Sequence, residues 1–210
     1  MTRSKWGGIA SLVLIAAYIA PAFIYLVGDL RSALGPWTYN VADFLYGPIA
    51  AASLIVSFSA IRSKIGGNAS QRLSWATSAA WVVAAAWVGV ACLRSANRSY
   101  HLAHPDLQLE HSITVLTVWG TQIAGVIGAG WHFWGWAHVL LGAAGWTTRR
   151  LPRALSALYI AAGVPAWVVY VAPDFEGGVV LLGVVVSACQ ALYLLGARAQ
   201  ENQASAQLVA

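Results

Sequence analysis

The sequence predicts an all-α polytopic membrane protein, a bundle of six transmembrane helices with both termini in the cytoplasm. Three observations carry this. The first is composition: 59% of the 210 residues are hydrophobic and only 9% are charged, where an average soluble domain carries about 25% charged residues. Lipid solvates that much apolar surface, whereas a water-soluble fold of this size has too little interior to hide it. The second is a series of apolar runs at 7–28, 41–61, 73–93, 112–146, 154–172 and 177–196, matched to a hydrocarbon layer of about 30 Å. The third is charge placement. With the N-terminus inside, Arg3, Lys5, Arg62, Lys64, Arg72, Arg149, Arg150, Arg153 and Arg198 face the cytoplasm, and only Arg31, Arg94 and Arg98 lie outside. Nine against three, with every loop in agreement, is the positive-inside pattern.

The same distribution bears on partners. A net charge of +5 invites nucleic acid, but the basic residues sit between apolar runs and form no binding face, so the expected partner is the lipid bilayer of a cell (inner or plasma) membrane. Residues 1–199 read as one transmembrane domain and 200–210 as a short polar cytoplasmic tail. The first run lacks a short core followed by a small-residue cleavage site and is expected to stay as a span. Cys92 and Cys189 fall inside apolar runs at different depths, which argues against a disulfide.

Polar residues on a spanning helix turn toward other helices or a cavity. The first span offers Tyr18, Tyr25 and Asp29; the second Tyr39, Asp43, Tyr46, Ser53 and Ser57. The fourth carries a stripe of Glu110, Thr114, Thr117, Thr121, Gly125, Gly128, His132, Gly135 and Gly142, polar outside and glycine-lined deeper. Its 35 residues (112–146) would measure about 50 Å as a helix, so it overshoots the hydrocarbon, with the excess outside. The fifth span offers Tyr159, Gly163, Tyr170 and Asp174, the sixth Gly183, Ser187 and Gln190. Tyr25 with Asp29, Tyr39 with Asp43 and Tyr170 with Asp174 are each spaced i, i+4, so each pair can meet on one helix face. All lie at outer helix ends, which points to an outward-opening cavity among the second, fourth and fifth spans, lined by Asp43, Tyr46, Thr117 and Tyr170. Trp6, Trp37, Trp75 and Trp146 sit near span ends as interfacial anchors. Trp131 and Trp134 lie deeper and share a face with His138, forming an aromatic wall for a bulky apolar or cationic guest.

Metal and cofactor signals are weak. His101, His104, Asp106, Glu110 and His111 follow the pattern H-x2-H-P-D-x3-E-H, which matches no established ligand spacing and reads as a solvated loop. His132 and His138 are six residues apart, about 120° around a helix, and cannot ligate one iron together. No phosphate loop, G-x-S-x-G, H-E-x-x-H or C-x-x-C motif is present, and no metal or other cofactor is expected.

What remains is carboxylic acids beside aromatic faces. An acid in a dry pocket keeps a proton to donate, and Tyr and Trp faces stabilise a carbocation. This suits a membrane enzyme that starts the isomerisation or cyclisation of a lipid-soluble substrate, isoprenoid, sterol or quinone, by protonating it. Asp43, the acid inside a span, is the expected donor, with Asp174 or Glu110 as second carboxylate and His132 as relay. Tyr18, Tyr25, Tyr39, Tyr46, Thr117, Trp131 and Tyr170 are the expected substrate-binding residues. In size, span number and aromatic content the chain resembles the small membrane-integral terpene cyclases, although no motif is shared. A small-solute transporter and a non-catalytic partner or sensor subunit are the alternatives. A sharper expectation concerns Asp43. Pairing with Arg31, Arg94 or Arg98 would give it a structural role; without a cation it would be free to donate a proton.

Overall fold

A computed structural model describes residues 2–26, 33–66, 71–104 and 111–207, the side chains at 25, 26, 36, 101, 102, 111–121, 170, 173 and 197–207 excepted. The described residues contain helices and no strand. Helix α1 covers Arg3–Leu26. Helix α2 runs over Thr38–Ile65, after a 3-10 turn at Gly35–Trp37. Then follow α3, Gln71–Ala103, α4, His111–Thr148, and α5, Arg153–Ala166. Short 3-10 turns at Val168–Tyr170 and Pro173–Phe175 lead into α6, Glu176–Gln207.

Four of these, at Arg3–Ile24, Thr38–Ile65, Gln71–Tyr100 and Glu176–Gly196, are long and apolar enough to cross a membrane. Large apolar side chains on their outward faces, such as Leu181 and Leu192 at 67% and 73% exposed, have no protein to cover them and suit lipid. Helix α4 has 38 residues, and its inner half carries Trp131, His132, Trp134, Trp136 and His138. Helix α5 is only 14 residues long. Pro165 lacks an N–H and crowds the preceding turn, and the chain leaves α-geometry just beyond it, continuing as a 3-10 turn.

Each helix packs on its neighbours in sequence, and α6 returns to α1, so the six close into a ring. The tightest seams lie at small residues. A Cβ placed on Gly135 of α4 would fall 2.6 Å from the Gly163 carbonyl oxygen of α5, and one on Gly163 would fall 2.6 Å from the Gly135 oxygen. At Gly142 the obstacle is the Ser156 oxygen, again at 2.6 Å. The deeper glycines of the α4 stripe are therefore helix contacts and not the floor of a cavity, while Gly125 faces open space.

Helix α2 carries the one irregular turn that matters for the interior. Pro48 cannot donate to the turn before it, and Leu45–Ile49 relaxes into a π-turn. Gly47 inside that turn lets α2 touch α3, because a Cβ there would lie 2.3 Å from the Ala91 Cβ. This close approach lays Tyr46 against Trp87.

Candidate functional site

The outer end of the α2–α3 seam is built from two matched pairs. Asp43 Oδ1 lies 3.6 Å from Arg94 Nη1, and the Arg98 guanidinium sits 3.5 Å above the Tyr39 ring. The spacing explains it: 39 and 43 are one turn apart on α2, 94 and 98 one turn apart on α3, and the helices run antiparallel. Asp43 is buried and Arg94 half exposed, so the cation faces outward and the carboxylate inward. Asp43 has its counter-charge, which is the condition for a structural role.

A second carboxylate stands across the ring. Glu176 is the first residue of α6, where the helix dipole favours an anion. Its Oε1 accepts a hydrogen bond from Trp131 Nε1 at 2.9 Å. Glu176 and Arg94 both come near the Tyr46 hydroxyl, so the ion pair and the Glu176–Trp131 pair share one neighbourhood.

Beneath these charges lies a cluster of rings. Trp87 is edge-on to Trp131 at 5.8 Å and to Tyr18 at 5.9 Å, and lies 5.7 Å from Tyr46. Trp131 meets Trp134 at 5.7 Å, and Trp134 Nε1 donates to the Tyr18 hydroxyl at 3.3 Å. Space for them comes from Gly183, whose Cβ would sit 3.2 Å from the Tyr18 ring and 3.4 Å from Trp134. The edge-to-face arrangement is the favourable one for aromatic pairs. Two buried polar atoms in this cluster, the Tyr46 hydroxyl and Trp87 Nε1, make no hydrogen bond of normal geometry among the described residues, although Glu176 lies beside the Tyr46 hydroxyl. Buried donors are almost always satisfied, so an unsatisfied pair of this kind inside an aromatic enclosure is chemically conspicuous.

Deeper again, His138 stacks on Trp134 at 3.6 Å and meets Phe58 and Tyr159 at 5.0 and 5.7 Å. Its Nδ1 lies 2.9 Å from the Trp134 carbonyl oxygen, which can only accept, so Nδ1 carries the proton. Beside it Tyr159 donates to Gln190 Oε1, Gln190 Nε2 donates to Ser11 Oγ at 2.9 Å, and Ser11 donates to the Gly7 carbonyl at 2.8 Å. This buried polar chain joins α5, α6 and α1.

Set against the sequence reading, the structure brings Asp43, Tyr46, Tyr18 and Trp131 into one interior and hangs Tyr39 on its rim. His132 is elsewhere: it is half buried and accepts from the outward-facing Trp136 at 3.2 Å, off the bundle axis. Asp174 is exposed in the turn before α6. Glu110 lies outside the described residues, as do the side chains of Tyr25, Thr117 and Tyr170. A shared Asp43–Tyr46–Thr117–Tyr170 lining is therefore not on view. Glu176 and Trp87 are the site residues that the sequence analysis does not single out, whereas Arg94 stands there as a possible partner of Asp43 and His138 on the face of Trp131 and Trp134. The signal for His138 is its place at i+4 from Trp134 and i+7 from Trp131 on one helix face.

Among the described residues no group of three or more His, Cys, Asp or Glu side chains is placed to hold a metal ion. Cys92 and Cys189 are free and exposed. Trp6, Trp37, Trp75 and Trp146 point outward near helix ends, as interfacial tryptophans do. The fold and interior define a class: a helical membrane protein with an aromatic core capped by an ion pair and a carboxylate. No protein-family model, curated protein or solved structure matches the chain.

Proposed function

We propose that the chain crosses a cell membrane six times with both termini in the cytoplasm, and that it is an enzyme acting on a lipid-soluble, isoprenoid-type substrate by acid-initiated isomerisation or cyclisation. The topology rests on the nine-to-three placement of Lys and Arg and on a ring in which each helix packs on its neighbours in sequence. The function rests on one observation: an aromatic cluster with a carboxylate at its mouth and two unsatisfied donors, the Tyr46 hydroxyl and Trp87 Nε1, within it.

Asp43 has Arg94 as counter-charge, so the acid in this reading is Glu176. Protonated Glu176 gives its proton to a substrate alkene carbon, and the positive charge appears on the adjacent, more substituted carbon. The Trp131 N–H, already on Oε1, stabilises the carboxylate left behind. The faces of Trp87, Trp131, Tyr46 and Tyr18 surround the cation. Loss of a proton from a neighbouring carbon back to Glu176 closes the cycle with no net change in composition. The Tyr46 hydroxyl and Trp87 N–H hold a hydroxyl or carbonyl group of the guest. The rings fill the interior when it is empty, Trp87 being 2% exposed and Trp131 0%, so a guest enters by turning one of them aside.

A transport path is the weaker reading. Between Glu176 and His138 stand Trp131 and Trp134, whose indoles donate and cannot accept, so they cannot relay a proton. The test is turnover of a panel of linear isoprenoid alkenes, alcohols and quinones in D2O by the protein in nanodiscs. The expected result is a product of unchanged carbon skeleton mass carrying one solvent deuterium, lost in a folded Glu176→Gln variant. Full incorporation by Glu176→Gln would remove Glu176 as the acid, and no turnover or co-purified isoprenoid in any preparation would remove the enzyme reading.

A further inference from the structure

A second site lies at the opposite end of the bundle, and it owes nothing to the aromatic interior. Between the last turns of α4 and the first turns of α5 runs an apolar groove of about 400 Å³, lined by Ala143, Trp146, Thr147, Ala157, Ile160 and Ala161. Its origin is in the sequence. The two helices touch closely at Gly142 and Gly145 on their inner sides. On their outer sides Ala143, Ala157 and Ala161 are too small to fill the angle between them, while Trp146, half exposed, forms one wall. The groove opens away from the core, toward lipid.

Three arginines stand at its end. Arg149 and Arg150 follow α4 directly, and Arg153 begins α5, with Ala157, Ile160 and Ala161 following it at i+4, i+7 and i+8 on one face. Arg149 turns the chain out of the helix in a left-handed conformation, φ +56°. All three are exposed, and none has an acidic partner within salt-bridge distance among the described residues. An apolar slot whose two helices are joined by a turn carrying three exposed arginines matches an amphiphile with an acyl chain and an anionic head.

We propose that this groove is a binding site for an anionic phospholipid, with one acyl chain along Ala143, Ala157 and Ala161 and the phosphate held by Arg149, Arg150 and Arg153. Trp146 lies along the glycerol region, where indoles sit in bilayers.

The full chain is purified in mild detergent, titrated with phosphatidylglycerol or phosphatidylcholine, and its bound lipid counted by native mass spectrometry. Phosphatidylglycerol should bind more tightly, with each Arg→Gln change weakening it about fivefold and the triple change about a hundredfold. The triple Arg→Lys variant should keep most of the preference, because surface attraction follows charge. Ala157→Leu with Ala161→Leu should reduce binding of both lipids, since the chain loses its slot while the arginines remain. These substitutions lie on exposed positions, and an unchanged melting temperature checks the fold. Equal binding of the two lipids by the wild type overturns the proposal. So does a preference that survives Arg149→Gln/Arg150→Gln/Arg153→Gln, and so does undiminished binding by the leucine variant.

Discussion

Glycines on one face of α4 give a prediction in which the same substitution acts with opposite sign at two positions. At Gly135 an added methyl would meet the Gly163 carbonyl oxygen at 2.6 Å, with the Trp167 ring 2.7 Å away. A carbon–oxygen contact is comfortable only beyond 3.4 Å, so α5 must retreat by roughly 0.8 Å or the backbone must bend, and overpacking of that kind costs about 1–3 kcal/mol. At Gly125 nothing lies within 4 Å. There Gly→Ala costs no contact and should gain about 0.5–1 kcal/mol from backbone entropy. Thermal unfolding in detergent, followed by circular dichroism, should therefore rank Gly125→Ala at or above wild type and Gly135→Ala clearly below. Gly163→Ala repeats the second result, and because Gly135 and Gly163 strain the same contact, the double variant should lose less than the sum of the two. If Gly135→Ala and Gly125→Ala shift the midpoint equally, the α4–α5 seam is not packed as described.

Three further outcomes follow from the interior. In a double-mutant cycle Asp43→Asn and Arg94→Gln should couple by under about 1 kcal/mol, because Arg94 is 43% exposed and solvent weakens the pair; strict additivity in denaturant titration would mean the ion pair is absent. Tyr159→Phe strands the Gln190 oxygen and should cost about 1–3 kcal/mol, whereas Tyr159→Phe with Gln190→Leu should cost less than Tyr159→Phe alone. The opposite ranking in melting temperature would show that the Tyr159–Gln190–Ser11 chain is not formed. Tyr46→Phe removes a buried hydroxyl that makes no hydrogen bond of normal geometry, so it should leave the empty protein as stable as wild type or more so while weakening retention of a co-purified isoprenoid; a large drop in melting temperature would show that the hydroxyl is already satisfied.

Much of this was legible in the chain because lipid imposes simple rules. Apolar run length gives the helices, and the apolar outer faces at Leu181 and Leu192 follow from them. The i, i+4 spacing of Tyr39 and Asp43 anticipated a shared face, and Arg94 and Arg98 answer it from α3. What was not legible is which buried face of α4 meets which neighbour. Its glycine stripe and its aromatic stripe are both interior, but glycine marks where another backbone comes close, and the bulky rings mark where space must be filled. His132 follows the first pattern and ends on the α5 side beside Trp136, while His138 follows the second and ends on the axis. Glu176 escaped notice because nothing in the sequence shows that the start of α6 comes to lie against Trp131, 45 residues earlier.

That contact also bears on which carboxylate the proposed reaction would use. In lipid no hydrophobic force drives one apolar helix onto another, so association rests on close packing and on hydrogen bonds between helices. Asp43 supplies such a bond across α2 and α3 and is matched by a cation. Glu176 instead meets a neutral donor, Trp131 Nε1, which steadies a carboxylate without cancelling its charge. With its cation, Asp43 is suited to holding two helices together, and in the proposed reaction the acid is Glu176, whose partner is a neutral donor at the aromatic cluster.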